Sequence, residues 1–215
     1  MTTKPLKPEN VPIDLTSSPS PTHAFYIHQL ANSTHITSLT SDLASVFSPK
    51  EGILIDAATN LITSTVTTPA FATKNENLLG THFSVTNAIG YEVAEMICPL
   101  FSWNMGMTTI VIKSEDQGEM VEIKPIGFGR RAQVFERKGA TYFWDVDPHR
   151  HEHKSLYKVI EFGEGVSKRV EVARYFQESS RAKTGVLVLD SIGVDTMVGI
   201  LTICAVLAVR ESFTK

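Results

Sequence analysis

The chain has 215 residues, of which 42% are hydrophobic and 20% charged, and its formal net charge is −3. That is enough apolar material for one domain with a real core. The slight acidity argues against a surface built throughout to bind nucleic acid or anionic lipid, and leaves room for a local basic patch only.

Residues 1–22 hold no apolar core segment and are crowded with Pro, Ser and Thr. They read as a disordered tail rather than a secretory signal, which predicts a cytoplasmic protein that is not secreted. From residue 23 onward the chain alternates short β-branched and aromatic runs with turn signals. HAFYIHQL (23–30) reads as a first strand, and the region from Ile36 to Val46 carries a short helical turn. GILIDAATNLITSTVT (52–67) reads as a hairpin turning over Asp56–Asn60. FSVTNAIGYEVAEMICPLFSW (83–103) reads as a second hairpin, turning near Asn87–Gly90. In an extended chain its Glu92 and Glu95 face opposite sides and make no carboxylate pair. MTTIVIK (107–113) and EMVEIKPIG (119–127) follow as strands. AQVFERKGATYFWDVD (132–147) is the clearest hairpin, with Lys138-Gly139 as its tight turn. SLYKVIEF, KRVEVARYF and TGVLVLD complete the series. Strands at this spacing predict a sandwich or a barrel. The two cysteines, Cys98 and Cys204, sit in apolar surroundings without a shared short spacing and read as buried free thiols.

The stretch VDTMVGILTICAVLAV (194–209) is too long for a buried strand. Read as a helix, it has Ser191 or Asp195 to cap its start and Arg210 near its end. Its uncharged part, Thr196 to Val209, covers roughly 21 Å at ~1.5 Å per residue, short of the ~30 Å hydrocarbon core of a bilayer. A helix apolar on all sides must be surrounded. In an otherwise β chain, a barrel wrapped around it meets that need.

The carboxyl-terminal half carries an aromatic hairpin with Tyr142-Phe143-Trp144, then SLYKVIEF, then Val172-Ala173-Arg174-Tyr175, then VLVLD before the helix. This order of parts resembles the tubby C-terminal-like superfamily, which includes the LURP-one-related proteins and the phospholipid scramblases. It is most similar to small fungal proteins with this domain. The resemblance is strongest from about residue 128. It implies a mainly β fold over 23–215: a closed antiparallel β-barrel of about a dozen strands around a hydrophobic carboxyl-terminal helix (about 194–209). It also implies a binding role, since tubby domains bind phosphoinositides through a basic surface. This chain departs from that pattern in its acidity, and it lacks the cysteine-rich segment of scramblases.

Among chemistry-bearing residues, Arg130 and Arg131 at a strand start could engage phosphate or carboxylate groups bidentately. Tyr142 and Trp144 could shape a ligand pocket at a barrel end, although core packing is the plainer reading for a tryptophan. Asp145, Asp147, His149, His151 and His153 form the most unusual run. If extended, its three histidines share one side. They could then hold a transition metal or do acid–base work with an aspartate. The plain reading is a solvated connection, with no metal. No nucleophile elbow, phosphate loop, HExxH or CxxC motif is present, and no cofactor is expected. These residues predict a non-catalytic module binding a phospholipid headgroup, a hydrophobic small molecule or a protein, with peripheral membrane contact and no nucleic acid. The rival is a cofactor-independent cyclase, isomerase or lyase acting on a hydrophobic metabolite.

Overall fold

The computed structural model describes residues 10–14, 20–48, 52–64, 68–77, 79–98, 107–113, 118–126, 132–146, 153–162, 166–177 and 182–211. Its strands are β1 His23–Gln29, β2 Ser33–Ser38, β3 Phe47–Ser48, β4 Gly52–Ile53, β5 Phe71–Asn75, β6 His82–Asn87 and β7 Glu92–Ile97. They continue with β8 Thr108–Ile112, β9 Glu119–Pro125, β10 Gln133–Arg137, β11 Ala140–Val146, β12 His153–Phe162, β13 Val166–Gln177 and β14 Thr184–Leu189. The helices are α1 Leu43–Val46, α2 Ile55–Ser64 and α3 Thr196–Glu211. All strands except the small β3–β4 pair join one closed barrel in the order β1-β14-β13-β12-β11-β10-β9-β8-β7-β6-β5-β2. Every pairing in it is antiparallel, and β1 closes the wall between β2 and β14. Closure gives each of these twelve strands a hydrogen-bonded neighbour on both sides along at least part of its length.

The apolar run before the carboxyl end is the helix α3, and the barrel encloses it. Residues from Val198 to Leu207 are all buried. They join one cluster with inward-facing wall residues such as Phe25, Ile27, Val85, Ile110, Phe135, Trp144 and Leu156. Of the two cap candidates, Asp195 serves: its Oδ1 accepts the Val198 amide at 3.2 Å. Among the described residues, no helix is long and apolar enough to cross a membrane. Both cysteines are free and buried.

The hairpins expected over 83–103 and 132–147 form as the strand pairs β6–β7 and β10–β11, with residues 99–103 and 147 outside the described residues. In the second, Lys138 and Gly139 both take positive φ, 49° and 75°. That is the twist a two-residue hairpin turn requires. The 52–67 expectation is overturned. Residues 55–64 form the helix α2, because Ile55, Ala58, Leu61 and Ile62 recur at helical spacing and pack outside the barrel on Tyr26, Val186 and Val188. The helical turn expected over Ile36–Val46 is confined to Thr40–Val46, since Ile36 belongs to β2. The amino-terminal segment, expected as a tail, lays residues Pro12–Asp14 beside Arg169 on β13.

Two bulges redirect side chains. One extra residue in β7 between Glu92 and Ala94 brings Glu92 and Glu95 to the same face, where both bind Lys113 at 3.1 and 2.6 Å. The expectation that these carboxylates face apart is thereby corrected. A second bulge in β13 at Val172 sets Glu171 opposite Tyr157, on the outer face with Arg174.

Candidate functional site: a buried polar collar

The barrel has two chemically different ends. At the entry end, where α3 begins, inward polar groups are matched. The Tyr142 hydroxyl donates to the Gly193 carbonyl at 3.2 Å. Arg137 donates twice to Glu119, at 2.6 and 2.7 Å, and meets Asp195 at 3.4 Å. This guanidinium holds the Glu119 carboxyl below its ordinary range. Half-way along the helix, the Trp144 indole N–H donates to the Thr202 hydroxyl at 3.0 Å, and Thr202 donates to the Gly199 carbonyl at 3.3 Å.

At the far end, the last inward-facing positions of several strands are polar. They are Thr108 on β8, Gln133 on β10, Lys154 on β12 and Gln177 on β13, and none is more than 5% exposed. Alternation fixes their direction: Thr108 shares a face with Ile110, Gln133 with Phe135, Lys154 with Leu156 and Gln177 with Tyr175. The Lys154 ammonium donates to Gln177 Oε1 at 3.2 Å and sits 5.1 Å from the centroid of the Tyr175 ring. Gln177 Nε2 donates in turn to the Ala182 carbonyl at 2.8 Å. Gln133 Oε1 is buried and has no hydrogen-bond partner among the described residues. The Thr108 hydroxyl is likewise without one, although it approaches the Cys98 thiol, whose ionisation burial opposes. Gly185 completes the collar by leaving room: a Cβ there would stand 2.3 Å from the Tyr175 hydroxyl.

Burying an ammonium costs several kcal/mol unless polar groups surround it. Lys154 has such groups, and the collar also presents the Gln133 Oε1 acceptor, which has no partner among the described residues, and the Thr108 hydroxyl beside the Cys98 thiol. Around this end the turns and strand ends expose Leu30, Leu79, Ile97 and Met107. The arrangement therefore offers a charged, hydrogen-bonding interior at an end whose described rim mixes these apolar side chains with exposed polar ones such as Asn32, Glu76 and Lys183.

The expected site residues divide between the two faces of one wall. Tyr142 and Trp144 point inward and give their polar atoms to α3 and the turn before it. Asp145 and His153 point outward. Asp145 lies 3.8 Å from Arg169, and the His153 ring packs edge-on to Phe176 at 4.4 Å. A single pocket shaped by Tyr142, Trp144 and the histidine run is thus not formed: Tyr142 lies at the entry end, whereas β11 leaves toward that run at the far end. Arg130, Arg131, Asp147, His149 and His151 lie outside the described residues. The strands that flank them, β9 and β10 for the arginines and β11 and β12 for the histidines, end and begin at the far end, where the collar is. Among the described residues, no group of three or more His, Cys, Asp or Glu side chains is placed to hold a metal ion. Sequence reading missed Thr108, Gln133, Lys154 and Gln177. Their signal was present, as polar residues in register with apolar neighbours two positions away.

Comparison with protein-family models, with curated proteins and with solved structures returned no match.

Proposed function

We propose that the protein is a binding module for an amphipathic small molecule with an anionic headgroup, such as a lipid, taken at the far end of the barrel. The observation that carries this reading is the buried collar: Lys154 set among Gln177 and Tyr175, with Gln133 Oε1 buried without a partner among the described residues and the Thr108 hydroxyl nearby, at an end that exposes Leu30, Leu79, Ile97 and Met107. The lumen is filled by α3, so the hydrocarbon part lies over Leu30, Leu79, Ile97 and Met107 while the headgroup reaches Lys154. The entry end also exposes Ile89, Tyr91 and Ile192, but its inward polar groups are matched, which favours the far end. The same reading places the chain in the tubby C-terminal-like superfamily. A closed twelve-stranded barrel around a carboxyl-terminal helix is the arrangement that resemblance implies.

The test is mass spectrometry of small molecules released on denaturing gently purified protein, followed by titration with a long-chain fatty acid and a lysophosphatidic acid. Lys154→Met keeps the length of the side chain and removes its charge. The expected result is an anionic amphiphile in the wild type and about a tenfold or greater loss of affinity in the variant, the cost of one charge-assisted contact. Equal binding by a folded variant, or no binding of either probe, would overturn the reading.

A further inference from the structure

The polar positions at the far end belong to one layer of the lumen. Thr108 on β8 pairs with Ile123 of β9, and two residues further along β9 Pro125 pairs with Gln133 of β10. Gln133 pairs in turn with Trp144 of β11, and two residues further along β11 Val146 pairs with Lys154 of β12. Each step crosses two strands, about 10 Å, and gains two residues, about 7 Å. That slope is the tilt of strands in a closed barrel, so Thr108, Gln133 and Lys154 stand at one height on the barrel axis. The next step, over Tyr175 and Gln177 of β13, reaches Gly185 of β14, which has no side chain to add.

The members of this layer are not equally matched. Lys154 donates to Gln177, and Thr108 lies against the Cys98 thiol. Gln133 is 5% exposed, and its Oε1 is buried with no hydrogen-bond partner among the described residues. The inward side chain beside it, Trp144, gives its single N–H to Thr202. A buried acceptor without a donor is costly to keep. Here it stands next in the layer to a buried ammonium.

Resting on the binding role proposed above for this end, we propose that Gln133 is its specificity-determining residue. It selects anionic amphiphiles whose headgroup carries a hydroxyl beside the charge, as the glycerol of a lysophospholipid does, over those with a bare acid, such as a fatty acid. A carboxylate or a fully ionised phosphate brings acceptors only. It satisfies the Lys154 ammonium and leaves Gln133 Oε1 sealed from water without a donor. A hydroxyl a few bonds from the acid supplies that donor while the acid meets Lys154, the neighbouring member of the same layer. A site built around such a contact rejects the analogue that lacks the hydroxyl, because the buried acceptor is then left unpaired.

The experiment is a titration of the full chain with two probes, oleoyl lysophosphatidic acid and the analogue in which hydrogen replaces its glycerol hydroxyl. The two share acyl chain, phosphate and charge. The wild type is expected to bind the first about tenfold or more tighter than the second. Gln133→Met keeps the length of the side chain and removes the amide. It should bring the two affinities together by weakening the first probe alone. Lys154→Met should weaken both probes by the same factor and leave their ratio unchanged. The comparison of probes in the wild type needs no variant, so it decides even where Gln133→Met does not fold. Equal affinities or the reverse order in the wild type, or a preference that survives in folded Gln133→Met, would overturn the role of Gln133 and leave the binding role standing. Binding of neither probe would overturn both.

Discussion

At the scale of single residues, the inner helix is held by a few polar contacts in an apolar setting. Thr202→Val keeps the shape of the side chain but leaves the Trp144 indole N–H without its acceptor inside the barrel. The expected loss is about 1–3 kcal/mol in urea unfolding, the cost of orphaning a buried donor. The Glu119–Arg137 pair gives a pH signature. The folded-state carboxyl of Glu119 titrates below its unfolded value because Arg137 favours the charged form. Its contribution is therefore present above about pH 4.3 and is lost as pH falls through the lower folded-state value. Glu119→Gln should lower stability at neutral pH and flatten the acid limb of a stability-against-pH curve. A variant that keeps the full acid slope would remove Glu119 from that account. At this scale the candidate site was only half legible. The parity of 142, 144 and 145 already separates Tyr142 and Trp144 from Asp145, and the same alternation marks Gln133 and Lys154 as inward. The bulges in β7 and β13 have no comparable sequence signal. That is why Glu92 and Glu95 were expected to face apart and why the pairing of Glu171 with Arg174 went unforeseen.

At the scale of elements, glycine sets how closely the wall approaches its neighbours. Gly185→Ala would place a methyl group 2.3 Å from the Tyr175 hydroxyl and 2.7 Å from the Phe176 carbonyl, which is backbone and cannot swing aside. The expected cost is about 1–3 kcal/mol from overpacking, read as a lower thermal midpoint. The same variant should disturb the Tyr175–Lys154 contact and, under the proposed function, weaken binding of the anionic amphiphile beyond its effect on stability. Most barrel strands and α3 were readable, because period-two runs between turn signals and a long uninterrupted apolar run are strong local patterns. The helix α2 was not. Its β-branched content (Ile55, Thr59, Ile62, Thr63) suits a strand, and only the recurrence of Ile55, Ala58, Leu61 and Ile62 against the outer face of β1 and β14 decides for a helix. That face does not exist until the barrel has formed.

At the scale of the whole molecule, the core is shared between wall and helix, so neither is expected to persist without the other. Ending the chain after Asp190 removes the inner layer that covers Phe25, Val85, Ile110 and Leu156. The prediction is insoluble or aggregated product, not a soluble empty barrel. A truncated protein that stays monomeric with native-like circular dichroism would refute it. In the intact protein the amides of Val198–Leu207 should exchange only through global unfolding, at the slowest rates in the molecule, because they lie buried on every side.

The position of α3 after all twelve barrel strands also has a consequence for synthesis. A ribosome delivers the wall before its filling, and β1 waits for β14, some 160 residues downstream by the pairing of Ile27 with Gly185, before the ring can shut. Throughout that interval the nascent chain carries apolar strand faces with nothing to cover them. Productive folding of the barrel thus waits for α3 to emerge, and the growing polypeptide is a natural client for chaperones that shield hydrophobic strands until then.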